Sequence, residues 1–207
     1  MVEALDPKRV TDDDLFAAYR DGDLTAFEEL FRRHERPVFR FVSRYVSDRE
    51  AAAELTQDIF LKVVRSSGSF RGGSKFTTWL YRIARNACID RLRRMSFRKT
   101  LSLDKTSHHG DEEGRTLLDV LSDPNGDVER QVVHGRVREE IARAVSELPD
   151  EQREVFLLRE VSGLSFREIA DVVGCPENTA KSRMRYALER LREALGEFRG
   201  VAVRAGR

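Results

Sequence analysis

Apolar residues recur three and four positions apart over most of this chain. No segment sustains an apolar–polar alternation of period two, so the pattern predicts helices and no strands. Thr11-Asp12-Asp13-Asp14 is a helix-start signal ahead of Leu15, Phe16 and Tyr19, and Gly22-Asp23 breaks that helix. A second helix carries Phe27, Leu30 and Phe31, then Val38, Phe41, Val42 and Tyr45. Pro37 within it lacks a backbone N–H and predicts a kink or a local break. Ser47-Asp48-Arg49-Glu50 reads as a capping box that launches residues 51–64, with Leu55, Ile59 and Val63 on one stripe. Ser66-Ser67-Gly68 ends it. A flexible, glycine-bearing loop, Ser69-Phe70-Arg71-Gly72-Gly73-Ser74, precedes a helix from about Lys75 to Arg94 that holds Phe76, Trp79, Leu80, Ile83, Ala84, Ala87 and Leu92.

Between Met95 and His134 the periodicity dissolves into Gly, Asp, Ser, Thr and Pro. Residues 101–134 carry three basic side chains against eight acidic ones, a composition that predicts a linker unable to fold alone. Helical spacing returns from Gly135 with Val137, Ile141, Ala144, Val145 and Leu148. Pro149 opens a further helix around Val155, Phe156, Leu157 and Leu158, which Ser162-Gly163 ends. Ser165-Phe166-Arg167-Glu168 is another capping box. It is followed by Ile169, Ala170 and Val173, a stop at Gly174, and Pro176 at the start of the last helix. The expected fold is all-α, with two small helical domains, residues 1–95 and 135–198, joined by a flexible acidic linker at 96–134, and with a tail at 199–207.

Charge changes this picture only through its distribution. The 207 residues are 35% charged with a net charge of +1, because the acidic middle cancels a basic surplus elsewhere. Cys88 and Cys175 are far apart and form no C-x-x-C pair, and His108-His109 has no further ligand nearby, so neither a metal site nor a cofactor is expected. With no long apolar run and no signal pattern, the chain is expected to stay in the cytoplasm without membrane insertion. Asp13, Asp14, Glu28 and Glu29 are carboxylate pairs on solvated helix faces, with no partnered His or Cys. An enzyme is not expected.

Two stretches carry chemistry. A short capped helix, a Gly turn and a helix with Lys181, Ser182, Arg185 and Tyr186 on one face have the layout of a helix-turn-helix that enters the major groove. Two amphipathic helices with solvated charge is the plainer alternative. In the loop and helix from Phe70 to Arg94, Arg82, Arg85, Arg91, Arg93 and Arg94 are interleaved with Phe70, Phe76, Trp79 and Tyr81, a mixture that suits unpaired nucleic acid. Asn86 offers both a donor and an acceptor to a base edge. Trp79 and Phe76 also read as core, and Phe70 reads equally as core or as a base-contacting ring.

The run FRGGSKFTTWLYRIARNACIDRLRR, with LPDEQREVFLLREVSGLSFREIADVVGCPENTAKSRMRYALERLRE downstream, resembles the extracytoplasmic-function sigma factors, small sigma-70-type subunits of bacterial RNA polymerase. The resemblance implies a first domain that binds the polymerase clamp and the promoter −10 element, and a second that grips the flap tip and reads the −35 element. It implies that Glu54, Gln57, Asp58, Leu61 and Lys62 face core RNA polymerase, and that Ser69, Phe70, Arg71, Gly72, Gly73, Ser74, Arg82 and Asn86 face −10 DNA. Thr179, Lys181, Ser182, Arg185 and Tyr186 match positions at the −35 groove, with Arg167 and Arg183 placed for phosphates. Partners implied are core RNA polymerase and promoter DNA. The family often pairs with an anti-sigma factor, and the resemblance leaves open whether this chain has one. Asn178-Thr179-Ala180 departs from the Gly-Thr-Val of many members. A free-standing helix-turn-helix regulator is the rival reading; it would require a dimer surface, and no long heptad seam is visible.

Overall fold

A computed structural model of the protein describes residues 10–46, 48–70, 72–101 and 140–196, without the side chains of 96–101. Every described element is helical: α1 (Asp12–Arg20), α2 (Leu24–Val42), α3 (Arg49–Ser66), a 3-10 turn (Ser67–Ser69), α4 (Phe76–Leu101), a helical stretch at 140–146 (α5), α6 (Asp150–Glu160), α7 (Phe166–Val173) and α8 (Glu177–Gly196). The all-α expectation holds for these residues.

Local signals act where the sequence places them, with three exceptions. Thr11 and Glu168 take part in full capping boxes, at α1 with Asp14 and at α7 with Ser165. Gly174 ends α7 in the left-handed region at φ 78°, which a side chain there would strain. The first exception is the start of α3. The cap is Asp48, whose carboxylate accepts from the Glu50 and Ala51 amides, while Ser47 lies outside the described residues. The second is Pro37, which stands inside an unbroken α2, so of the kink and the break expected there the break does not occur. Val38, Phe41 and Val42, just beyond it, are fully buried, and that burial outweighs the cost of about 3 kcal/mol that an interior proline imposes. The third is the end of α4, which continues past Arg94 to Leu101, so helix occupies the start of the segment read as linker. The rest of that segment, with His108-His109, and the tail lie outside the described residues.

Phe16, Leu30, Phe41, Ile59, Phe76, Leu80 and Tyr81 fill the interior of α1–α4, and Leu148, Val155, Leu158, Ile169, Ala180 and Leu191 that of α5–α8. Cys88 is fully buried, and burial pushes its thiol up to about 12, as suits an inert core residue. The two halves also meet. α4 packs against α7, buried Glu154 of α6 accepts hydrogen bonds from Arg85 of α4, and Lys75 Nζ lies 3.0 Å from Glu168 Oε1. Arg85→Ala would leave the Glu154 carboxylate buried without its cation, weakening the docking of the second half by about 2 kcal/mol. Small-angle scattering should then show a larger radius of gyration, with helicity by circular dichroism unchanged.

Candidate nucleic-acid interface

Three surfaces emerge from this frame. The first is one side of α3. The spacing of Glu54, Gln57, Asp58, Leu61 and Lys62 aligns them along one stripe, and all five are exposed. Leu61 is 50% exposed, an apolar residue standing in a charged surround. The opposite stripe, Leu55, Ile59 and Val63, is buried as the periodicity requires.

The second surface is the glycine loop and the start of α4. Phe70 closes the 3-10 turn, and its ring meets Phe16 edge-on at 5.2 Å and Trp79 at 5.2 Å, so it is half-buried against aromatic neighbours. Phe76 is core, and Trp79 packs on Phe16, as the plainer reading of both held. Gly72 and Gly73 are exposed, Gly72 at φ 70°, with nothing within 4 Å of where a Cβ would stand. Ser69 is exposed and donates its hydroxyl to the Ser66 carbonyl, Ser74 is half-buried, and Arg71 lies outside the described residues. Lys75, Trp79, Arg82 and Asn86 then fall on one stripe of α4. Asn86 is exposed, and buried Nε of Arg82 has no hydrogen-bond partner among the described residues. Asn86 stands roughly 15 Å along the axis from the loop, too far for both to hold one base.

The third surface is the outer face of α8. Pro176 immediately precedes the helix, and its carbonyl accepts from the Ala180 amide. Lys181, Ser182, Arg185 and Tyr186 are all exposed, while Ala180, Met184, Ala187 and Leu191 are buried on the other side. The Arg185 guanidinium lies 4.6 Å above the Tyr186 ring, which presents a cation and an aromatic as one unit. Lys181 pairs with Glu177 at 2.6 Å and Arg185 with Glu189 at 3.8 Å. Both are exposed i,i+4 pairs that a phosphate or base can displace at little cost. Thr179 is half-buried and Arg167 is exposed at the start of α7. Arg183 is half-buried and pairs with exposed Glu151 of α6 at 2.7 Å, a contact that links two helices.

The carboxylates read as solvated are more engaged than expected. Arg32 first, then Arg33, draw the Glu29 carboxyl down to about 2, and Asp14 serves the Thr11 cap. Asp13 accepts the Phe76 amide, and Asp12, which sequence reasoning passed over, contacts His34 and Arg33. Among the described residues no cluster of His, Cys, Asp and Glu is arranged to hold a metal, and no helix is long and apolar enough to cross a membrane.

Residues 30–98 match the model of Sigma-70 region 2, and residues 138–191 match that of Sigma-70 region 4. Among curated proteins, the chain is 34% identical over 195 residues to ECF RNA polymerase sigma factor SigM of Mycobacterium tuberculosis, covering 94% of this chain and 90% of that protein. It is 35% identical over 183 residues to the ECF RNA polymerase sigma-E factor of Escherichia coli, covering 88% of this chain and 93% of that one. The chain belongs to the extracytoplasmic-function sigma factors. The sigma factor RpoE of Bartonella quintana, solved with the anti-sigma factor NepR, has a similar fold, with a TM-score of 0.65, 25% identity and coverage of 84% of this chain and 98% of that one. The region 2 match begins within α2 and ends within α4, and the region 4 match runs from just before α5 into α8.

Proposed function

We propose that this sigma factor recruits core RNA polymerase through the exposed face of α3, holds unpaired −10 bases at the glycine loop and α4, and reads the −35 duplex with α8. The observation that carries this reading is the coexistence of two different nucleic-acid surfaces on one chain. One is an aromatic and glycine-bearing loop beside a polar stripe, suited to single strands; the other is a short capped helix, a glycine turn and a helix with a cationic exposed face, suited to a groove. The work is done by binding free energy, not by a catalytic side chain, and the place of action is the cytoplasm. The acidic stretch after α4 acts as the tether between the two regions. An anti-sigma factor is the expected negative regulator, as NepR is the partner of the RpoE in the Bartonella complex.

A free-standing regulator would leave region 2 and the open face of α3 without a task. In vitro transcription with core polymerase on a pool of genomic fragments, with and without this chain, tests the reading. New starts sharing two upstream elements are expected, and starts identical with and without the chain would refute it.

Within region 4 the roles divide by chemistry. Arg185→Ala and Tyr186→Ala should change the −35 letters chosen from a promoter library, each costing about 1–3 kcal/mol of discrimination. Arg167→Ala should weaken all sequences alike and lower the salt slope by about one. Arg183, spent on Glu151, acts mainly by positioning α8. Unchanged letters in the Arg185 and Tyr186 variants would place the groove-facing side elsewhere.

A further inference from the structure

The Thr11-Asp12-Asp13-Asp14 signal does more than begin a helix. Its three carboxylates go to three different places: Asp14 back to the Thr11 cap, Asp12 to Arg33 and His34 of α2 at 2.9 and 2.8 Å, and Asp13 across the molecule to the backbone amide of Phe76 at 2.5 Å. Phe76 is the first residue of α4, where a helix leaves amide donors without an intrahelical acceptor. The acceptor there is thus supplied from α1, 63 residues earlier in the chain.

One turn further along α1, Phe16 is almost fully buried and its ring touches both Phe70 and Phe76, at 5.2 and 4.8 Å. These two residues bracket the glycine loop. Asp13 and Phe16 also line, with Gly72, Gly73 and Ser74, a crevice of about 780 Å³ that lies between the loop and α7. The Asp12 contacts fasten α1 to α2, and the His34 hydrogen bond, above all, holds the Asp12 carboxyl below its ordinary range.

We propose that α1 is the clamp that sets the shape of the −10 loop, with Asp13 and Phe16 as its positioning residues. A loop with two adjacent glycines has many conformations, and a pocket for an unpaired base exists in few of them. Fixing the end of the loop through Asp13, and both flanking rings through Phe16, removes that freedom before DNA arrives, and so lowers the ordering cost of base capture. This inference rests on the loop being the −10 base site. Asp13 touches no base in this scheme; it acts through the loop.

The test uses full-length variants assembled with core RNA polymerase, on a promoter fragment recovered by the transcription selection, with 2-aminopurine in the −10 element to report unstacking. Asp13→Ala should slow opening about tenfold, the effect of losing one charge-assisted hydrogen bond, and lower the melting temperature modestly for the same reason, while polymerase affinity and closed-duplex binding stay within about twofold of the parent. Asp13→Asn keeps a carbonyl acceptor for the Phe76 amide and should open within about threefold of the parent. The same order should appear in affinity for a single-stranded −10 oligonucleotide. Opening unchanged in Asp13→Ala would overturn the proposal. So would Asp13→Asn failing as completely as Asp13→Ala, or an opening defect matched by an equal loss of polymerase affinity. Phe70→Ala in the same assay separates the two levels. If Phe70→Ala blocks opening and Asp13→Ala does not, the clamp alone falls; if Phe70→Ala opens normally, the loop is not the base site and both readings fall.

Discussion

Leu61→Arg should abolish polymerase-dependent transcription without unfolding the protein. Leu61 is half exposed on α3, ringed by exposed Glu54, Gln57, Asp58 and Lys62, which is the composition of an apolar anchor inside a polar rim. Burying a leucine in an interface contributes about 1.5–3 kcal/mol, and forcing a guanidinium into the same place adds a desolvation cost of several kcal/mol. A total near 4 kcal/mol corresponds to about a thousandfold loss of affinity for core polymerase. The isolated chain should hardly notice, since substitutions on open surface stay within about 0.5 kcal/mol. Binding measured by fluorescence anisotropy, beside a thermal melt, separates the two. Normal polymerase affinity in Leu61→Arg would mean that the face is merely solvated.

The loop and α4 should matter later, when the duplex opens. Initial docking depends mainly on phosphate contacts and on region 4, whereas base capture requires a shaped pocket that offsets an unstacking cost of a few kcal/mol. Asn86→Ala and Phe70→Ala should therefore keep duplex-promoter binding and lose roughly a hundredfold in opening, the equivalent of about 3 kcal/mol. Asn86 is exposed, and its side-chain oxygen accepts one long hydrogen bond from Arg85, so its replacement is read beside the Arg85→Ala variant. Phe70 packs on Phe16 and Trp79, and Phe70→Leu, which preserves apolar packing, shows how much of its effect is support for the loop. A template mismatched through the −10 element should rescue Phe70→Ala substantially, because opening has already been supplied. It should rescue Asn86→Ala less, because the base-edge contact is still missing. Variants that lose stability and polymerase binding together, with no rescue, would assign both residues to the fold.

The contrast between what was legible in the residues and what was not follows the range of the interactions. Thr11, Ser165 and Gly174 act on amides and carbonyls within a few positions of themselves, and spacing alone identifies them. The open faces of α3 and α8 follow from helical periodicity in the same way. The break expected at Pro37 does not occur because its cost is local while the burial of Val38, Phe41 and Val42 that overrides it is tertiary. Asp13 could not be distinguished from solvated Glu28, since its acceptor role depends on a residue 63 positions away. Arg85 and Arg183 both looked available to DNA phosphates. Their partners, Glu154 and Glu151, lie on a helix that the chain reaches only after the acidic segment, and no short spacing announces either pair. At the start of α3 the cap observed is Asp48, whose charged side chain accepts from the first amides of the helix.

This chain is expected to open promoters only as a subunit of polymerase. Permanganate reactivity of −10 thymines on a selected promoter tests it most directly, with the chain alone, core polymerase alone, and the two together. Reactive thymines are predicted only in the combined sample, at positions lost in Asn86→Ala. Tight, specific binding by a dimer of the chain alone, with no unpaired −10 bases when polymerase is added, would contradict the account.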